Sequence, residues 1–285
     1  MNIRHTTVAV ALALVGSMMP GPATGEPAAP EAAEPSETSA LGGYGEAAWR
    51  EELDAVCEEL ARGLSGLRLP DAPAPYRAEA RWVRAELLSL DGSYGGIITN
   101  VMQSQAAGVA EVHVGSPQRD DSNFFGSDAG ITRFEVPVAP SPEFLRKQIW
   151  LALDRAFRGA TVAYSQKAVA LEQLSTETTV ADLGPGAPAV EHVTLQGETP
   201  IDRDGLAAMV GALSARFEDW SSIDNGDVHL QILRSHESLV DSNGLVVSRV
   251  RARAVLAVVA DTQAADGMQL DHGLALHLSG VPAAD

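Results

Sequence analysis

The chain has 285 residues and carries 20 Lys and Arg against 38 Asp and Glu, a net charge of −18. Residues 1–25 hold Arg4 and no acid, so without them the charge is −18 − 1 = −19, a sign that repels nucleic acid and anionic lipid and argues against both as partners. A single cysteine, Cys57, excludes an internal disulfide and a cysteine-rich zinc site.

Arg4 and His5 precede an apolar run from Val8 to Val15, then Met18-Met19-Pro20 and the small residues Ala23-Thr24-Gly25. These parts make a secretory signal peptide over residues 1–25, and the apolar run is too short for a membrane span. No later stretch is long and apolar enough to span, and no cysteine stands at the cleavage region to carry a lipid. Export to the periplasm or the extracellular space is the expectation. Residues 26–44, EPAAPEAAEPSETSALGGY, are mostly Pro, Ala and Glu, with too little apolar surface to offset the entropy of ordering, and read as a flexible tether. Residues 45–285 are enough for one large domain or two small ones.

The first helix is expected from about Glu46 to Leu64. Trp49, Leu53, Val56, Cys57 and Leu60 share one face, so Cys57 is expected to be a buried structural thiol, and acids fill the opposite face. Pro70, Pro73 and Pro75 mark a loop. Three strand-like runs come next, Arg77–Leu90, Ile97–Gln105 and Val109–Val114, broken at DGSYGG (91–96) and AAG (106–108), short enough for an antiparallel meander. A second helix should start at Ser141 with Pro142 in its first turn and run to about Leu174 on a stripe of Leu145, Ile149, Leu153, Ala156, Ala160 and Ala163. A Thr-, Gly- and Pro-rich connection (175–190) leads to a short strand near His192–Leu195 and a helix from Asp204 with Leu206, Met209, Val210, Leu213 and Phe217 on one side. Two alternating strands flank Asp241-Ser242-Asn243-Gly244, whose Asn-Gly pair signals a two-residue hairpin turn, and a last strand covers Leu270–Leu278. This order argues for an α+β fold, with helices packed on one face of an antiparallel sheet.

The stretch HESLVDSNGLVV (236–247) begins like a zinc-protease helix, but position 240 is Val and the flanks alternate with period two. On a strand His236 and Glu237 point to opposite faces, so His236 reads as a partly exposed strand end. There is no G-x-S-x-G and no phosphate loop; Ser93 in GSYGG belongs to a turn. His272 and His277 differ by an odd number and face opposite ways. Asp120-Asp121 and Asp224-Asn225-Gly226-Asp227 lack the spacing of a calcium loop and read as solvated turns. Arg249, Arg251 and Arg253 fall on one strand face; they either pair with neighbouring acids or dock carboxylates of a peptide or partner.

Five segments in order resemble the amino-terminal region of TldD/PmbA-like proteins, once called modulators of DNA gyrase and regarded as zinc metallopeptidases: PYRAEARWV (75–83), VHVGSPQRDDSNF (112–124), LRKQIWLALDRAFRGATVAYSQK (145–167), LVDSNGLVV (239–247) and ADGMQL (265–270). The resemblance implies that 45–285 is an amino-terminal α+β domain of that kind. It also implies that the family's metal helix, H-E-x-x-x-H with a later Cys, belongs to a carboxyl-terminal half. No H-E-x-x-x-H occurs here, Cys57 matches no ligand, and the chain ends at SGVPAAD about where that half would begin. No catalytic residue carries over. The leading expectation is an exported, non-catalytic substrate-gating or assembly domain, without cofactor, that binds a peptide or a peptidase subunit and forms a homo- or heterodimer. The alternatives are a metallopeptidase holding zinc through His229, His236 or His272 across strands, and a split enzyme whose catalytic half is another chain.

Overall fold

The structure, a computed structural model, describes residues 46–124, 130–139, 141–174, 180–184, 190–194 and 201–283. The expected signal peptide (1–25) and tether (26–44) lie outside the described residues, as do 175–179 and 185–189 of the expected connection.

Three helices, α1 (Glu46–Gly66), α2 (Pro142–Leu174) and α3 (Arg203–Ala215), and eight strands make up the described fold. The strands are β1 (Pro75–Ser93), β2 (Gly96–Ser116), β3 (Arg119–Asp120), β4 (Ile131–Phe134), β5 (Val190–Thr194), β6 (Asn225–Asp241), β7 (Val246–Gln263) and β8 (Gln269–Ser279). They form one sheet of order β3-β2-β1-β6-β7-β5, with β4 added to β2 and β8 to β7. Every pairing is antiparallel except β5 with β7, so the class is α+β as the element order predicts, with one parallel strand the sequence does not announce. None of the described helices is long and apolar enough to cross a membrane.

Strand alternation assigns the two faces. On β1 the even positions Ala78, Ala80, Trp82, Leu88 and Leu90 are buried beneath helices, while Arg77, Glu79, Arg81, Val83, Leu87 and Ser89 look away from them. All three helices therefore lie on one face. α1 and α2 cover one end, with Trp49, Leu53, Val56 and Leu60 packed beside Leu145, Ile149, Leu153 and Phe157 over Ala80, Trp82, Val112 and Val240. α3 covers the other end with Leu206 and Val210 over Leu88, Leu90, Leu230 and Ile232. A buried polar belt separates these two apolar clusters: Arg84 and Glu86 on β1, Arg234, His236 and Ser238 on β6, and Ser248 on β7. Its charges are matched, Arg84 to Glu52 of α1 through two bonds of 2.8 and 2.7 Å, and Arg234 to Glu86 at 2.6 Å.

Several sequence expectations change for identifiable reasons. The AAG segment is no break: β2 runs unbroken through Gly108, which pairs with Trp82 and leaves room for Phe134 of β4, whose ring would come within 2.3 Å of a Cβ at that position. Cys57 is exposed, because the buried arc of α1 is rotated toward Glu52 and Glu59, two acids expected on the outer face. The arc turns that way because Arg84 of the sheet receives Glu52. Leu213 of α3 is 38% exposed, and Ser214 is buried in its stead. The β6–β7 connection is a three-residue loop, closed by the Asp241 and Leu245 backbones, with Gly244 at φ 90°. Tyr94-Gly95 supplies the two-residue turn instead, between β1 and β2, with both residues at positive φ (45° and 77°).

Candidate functional site

The densest cluster of polar groups lies where β2 ends. Glu111 and His113, two apart on β2, project from the same face. The chain then turns through Gly115-Ser116-Pro117-Gln118 and comes back as β3, whose Asp120 pairs with Gly115. Gly115 sits at φ 99° with the Tyr164 ring and the Arg119 carbonyl against its Cα, space that a side chain would fill. This reversal brings Asp120 and Asp121 back against His113. All three are buried, at 0%, 6% and 7% exposure, which corrects the expectation that Asp120-Asp121 form a solvated turn.

Each carboxylate is held. Asp120 Oδ2 accepts the Tyr76 hydroxyl at 2.7 Å, and its Oδ1 accepts the amide and hydroxyl of Ser122 at 2.9 and 2.6 Å. Asp121 Oδ1 accepts the Val114 amide at 2.8 Å. Around them Lys167 of α2 donates to the Ser122 carbonyl and to Asp182 Oδ2, and Asp182 Oδ2 accepts the Asp120 amide, so α2 is tied to the turn. His113 Nε2 lies 3.2 Å from Glu111 Oε1, while Nδ1 stands 3.6 Å from Asp121 Oδ1 and 3.7 Å from Asp120 Oδ2, beyond hydrogen-bond reach. Burial disfavours the charged imidazole, but Asp121 and Glu111 outweigh it and push His113 up to about 10. In return the His113 bond holds Glu111 below the usual carboxylate range against its own desolvation. Desolvation, then the Asp120 bond, pushes the Tyr76 phenol upward, so it stays a donor. The arrangement can bind a cation.

The other residues singled out in the sequence fall elsewhere. His236 is buried on the helix face, 2.8 Å from Ser248 Oγ and with its ring 6.1 Å from that of Trp49, so it is no partly exposed strand end. Glu237 projects from the opposite face, and Asp241 caps its own turn through the Asn243 and Leu245 amides and pairs with Arg77 at 3.2 Å. His229 faces away from the helices beside Asp91 at 2.8 Å, and His272 lies opposite Ala260, ten residues along β7 from the Val250 that faces His236. That distance is about 33 Å along a strand, so His229, His236 and His272 cannot share one ion. The three histidines therefore do not form one zinc site. The family zinc that the resemblance brings with it also finds no fit here: no helix carries H-E-x-x-x-H, and Cys57 lies on α1. Asp224 accepts the Gln263 amide at the far turn and is no calcium loop.

Arg249, Arg251 and Arg253 do share the helix-free face. Arg249 is opposite Glu237, Arg251 lies 3.8 Å from the same carboxylate, and exposed Arg253 has Leu233 and Ser279 for cross-strand neighbours. The His113 cluster escaped the sequence because its members lie on two strands joined by a reversal. The signal present was the Gly-Ser-Pro turn, which folds Asp120 back onto the β2 end.

No family model matches the chain, and no curated protein matches it. Its structural neighbours include proteins described as modulators of DNA gyrase, and TldE. One, described as a modulator of DNA gyrase from Bacteroides thetaiotaomicron, is 10% identical, with a TM-score of 0.48 over 80% of this chain and 45% of that one. TldE from Thermococcus kodakarensis is 12% identical, with a TM-score of 0.44 over 78% and 42%. A second protein described as a modulator of DNA gyrase, from Thermotoga maritima, is 10% identical, with a TM-score of 0.42 over 70% and 39%. The chain thus spans less than half the length of each of these structures, and its likeness to them is one of fold.

Proposed function

We propose that the protein is an exported, non-catalytic α+β domain that docks a peptide, or an acidic segment of a partner peptidase subunit, on the helix-free face of its sheet. The observation that carries this reading is the composition of that face. Arg249, Arg251 and Arg253 run down β7 as a basic stripe on a chain of net charge −18, and Leu233, Val255, Val83 and Leu87 beside them offer apolar contact. Arg253 has no carboxylate directly opposite it. The amino-terminal pattern of residues 1–25 supports export, and the ordered sequence resemblance to TldD/PmbA-like proteins supports a gating or assembly role beside a separate catalytic half.

The test is binding of acidic peptides ending in a free carboxylate to the full mature chain, followed by calorimetry. Wild-type protein should bind with a salt-sensitive affinity. Arg251→Glu/Arg253→Glu should weaken binding by about tenfold or more, since two charge-assisted contacts are reversed in sign. Equal affinity in the variant, or hydrolysis of the peptides by the chain alone, would refute the reading.

A further inference from the structure

The orientation of His113 is fixed from one side. Nε2 lies 3.2 Å from Glu111 Oε1, so this nitrogen carries a proton and donates it. In the neutral ring the lone pair is then on Nδ1, which is buried, has no hydrogen-bond partner, and faces carboxylate oxygens of Asp121 and Asp120 at 3.6 and 3.7 Å. A lone pair aimed at two anionic oxygens in a buried place is repulsive, and either a proton on Nδ1 or a cation between the groups relieves it. We propose that His113 Nδ1, Asp120 Oδ2 and Asp121 Oδ1 are the protein ligands of one divalent transition-metal ion, with zinc best suited to the donor set.

The geometry supports an ion over a proton alone. Zinc bonds of about 2.0–2.1 Å in a tetrahedron set ligand atoms roughly 3.3 Å apart. The two imidazole-to-carboxylate separations exceed this by a few tenths of an ångström, and the three donors lie within 4.8 Å of one another. A ligating histidine whose other ring nitrogen donates to a carboxylate is the usual metal-site arrangement, and Glu111 fills that role. The ligand carboxylates are themselves oriented, Asp120 by Tyr76 and Ser122, Asp121 by the Val114 amide. Charge points the same way. Glu111 has Arg81 at 3.6 Å as well as the imidazole, but the buried pair Asp120 and Asp121 converges on His113, and a divalent ion neutralises more of that buried charge than a single proton does. Lys167 is not that cation, because its Nζ bonds Ser122 and Asp182. An imidazole donor favours a transition metal over calcium or magnesium. The ion's role is structural: it fastens the β3 turn to the end of β2, independently of any docking on the open face.

The test uses the full mature chain, stripped with a chelator and titrated with zinc chloride, together with the cobalt(II) absorption spectrum. We expect one zinc per chain, a raised melting temperature and cobalt bands of a low-coordinate nitrogen–oxygen site. His113→Gln keeps a donor for Glu111 but removes Nδ1, and should weaken binding by about a hundredfold or more, since even the supporting partners of such sites are worth tenfold to a hundredfold. His229→Gln should bind like wild type. Asp121→Asn, which can still accept the Val114 amide, replaces His113→Gln should that variant fail to fold. Absence of saturable zinc binding by folded wild-type protein overturns the proposal whatever the variants do, and so does equal affinity in a folded His113→Gln or Asp121→Asn.

Discussion

Replacing Glu52 by Leu should be among the most damaging single changes in the fold. Glu52 is fully buried, and its two oxygens take the two terminal nitrogens of Arg84 at 2.7 and 2.8 Å while Oε1 also accepts the Ser141 amide at 3.0 Å, just before α2 begins. Arg84 Nε donates to the Pro137 carbonyl at 2.9 Å, so one carboxylate and one guanidinium join α1, β1, the segment after β4 and the start of α2. Without Glu52 the guanidinium keeps its charge in a site with almost no solvent contact, a loss of about 3–5 kcal/mol. The orphaned Ser141 amide adds about 1 kcal/mol. At about 2–4 °C per kcal/mol for a domain of this size, the melting temperature should fall by roughly 10 °C or more. The double variant Glu52→Leu/Arg84→Met removes both charges and fills the space, so it should return to within about 2 kcal/mol of wild type. Urea denaturation of the four proteins measures this cycle. Simple additivity, or a single Glu52→Leu loss below about 1 kcal/mol, would show that the pair is solvated and that the buried belt is misread.

His236→Ala should cost about 1–3 kcal/mol, because it removes the partner of Ser248 and the ring beside Trp49 from a buried position; a silent variant in thermal melts would contradict that burial. Gly244→Val should also lower the melting temperature, by an amount equivalent to about 1–2 kcal/mol, since Gly244 sits at φ 90° and a β-branched side chain is strained there. Asp91 gives a pH signature. Its hydrogen bond with His229 outweighs partial burial and lowers its folded value below 3.8, so its contribution is present above that pH and is lost as pH falls through the folded value. Asp91→Asn should therefore lower stability at neutral pH and flatten the acid limb below about pH 4, the two proteins converging in acid; an unchanged acid limb would count against the pair.

The elements with strong periodicity were legible in the sequence. The stripe from Leu145 to Ala163 gives α2, and the alternation on either side of Asp241–Gly244 gives β6 and β7, because a single buried face imposes its period on the residues. Side-chain position failed where charge overrides hydropathy. Glu52 is buried and Cys57 is not, since an Arg in the sheet, thirty-two residues away, selects which edge of the stripe turns inward. Gly108 looked like a break because a glycine within a strand and a glycine in a turn read alike, and only Phe134 tells them apart. The histidines near 236 drew attention by their spacing, whereas His113 carries the denser chemistry, since a site assembled by a chain reversal leaves no fixed interval to read.

The polar belt of Arg84, Glu86, Arg234, His236 and Ser248 also bears on how the molecule comes apart. No apolar side chain among these bridges the cluster under α3 to the larger cluster under α1 and α2, so cooperativity between the two ends runs chiefly through the long strand ladders and paired charges. Such a seam predicts different local stability on its two sides. The α3 end, with the smaller apolar cluster, should therefore exchange its amide hydrogens sooner than the end pinned by Glu52–Arg84.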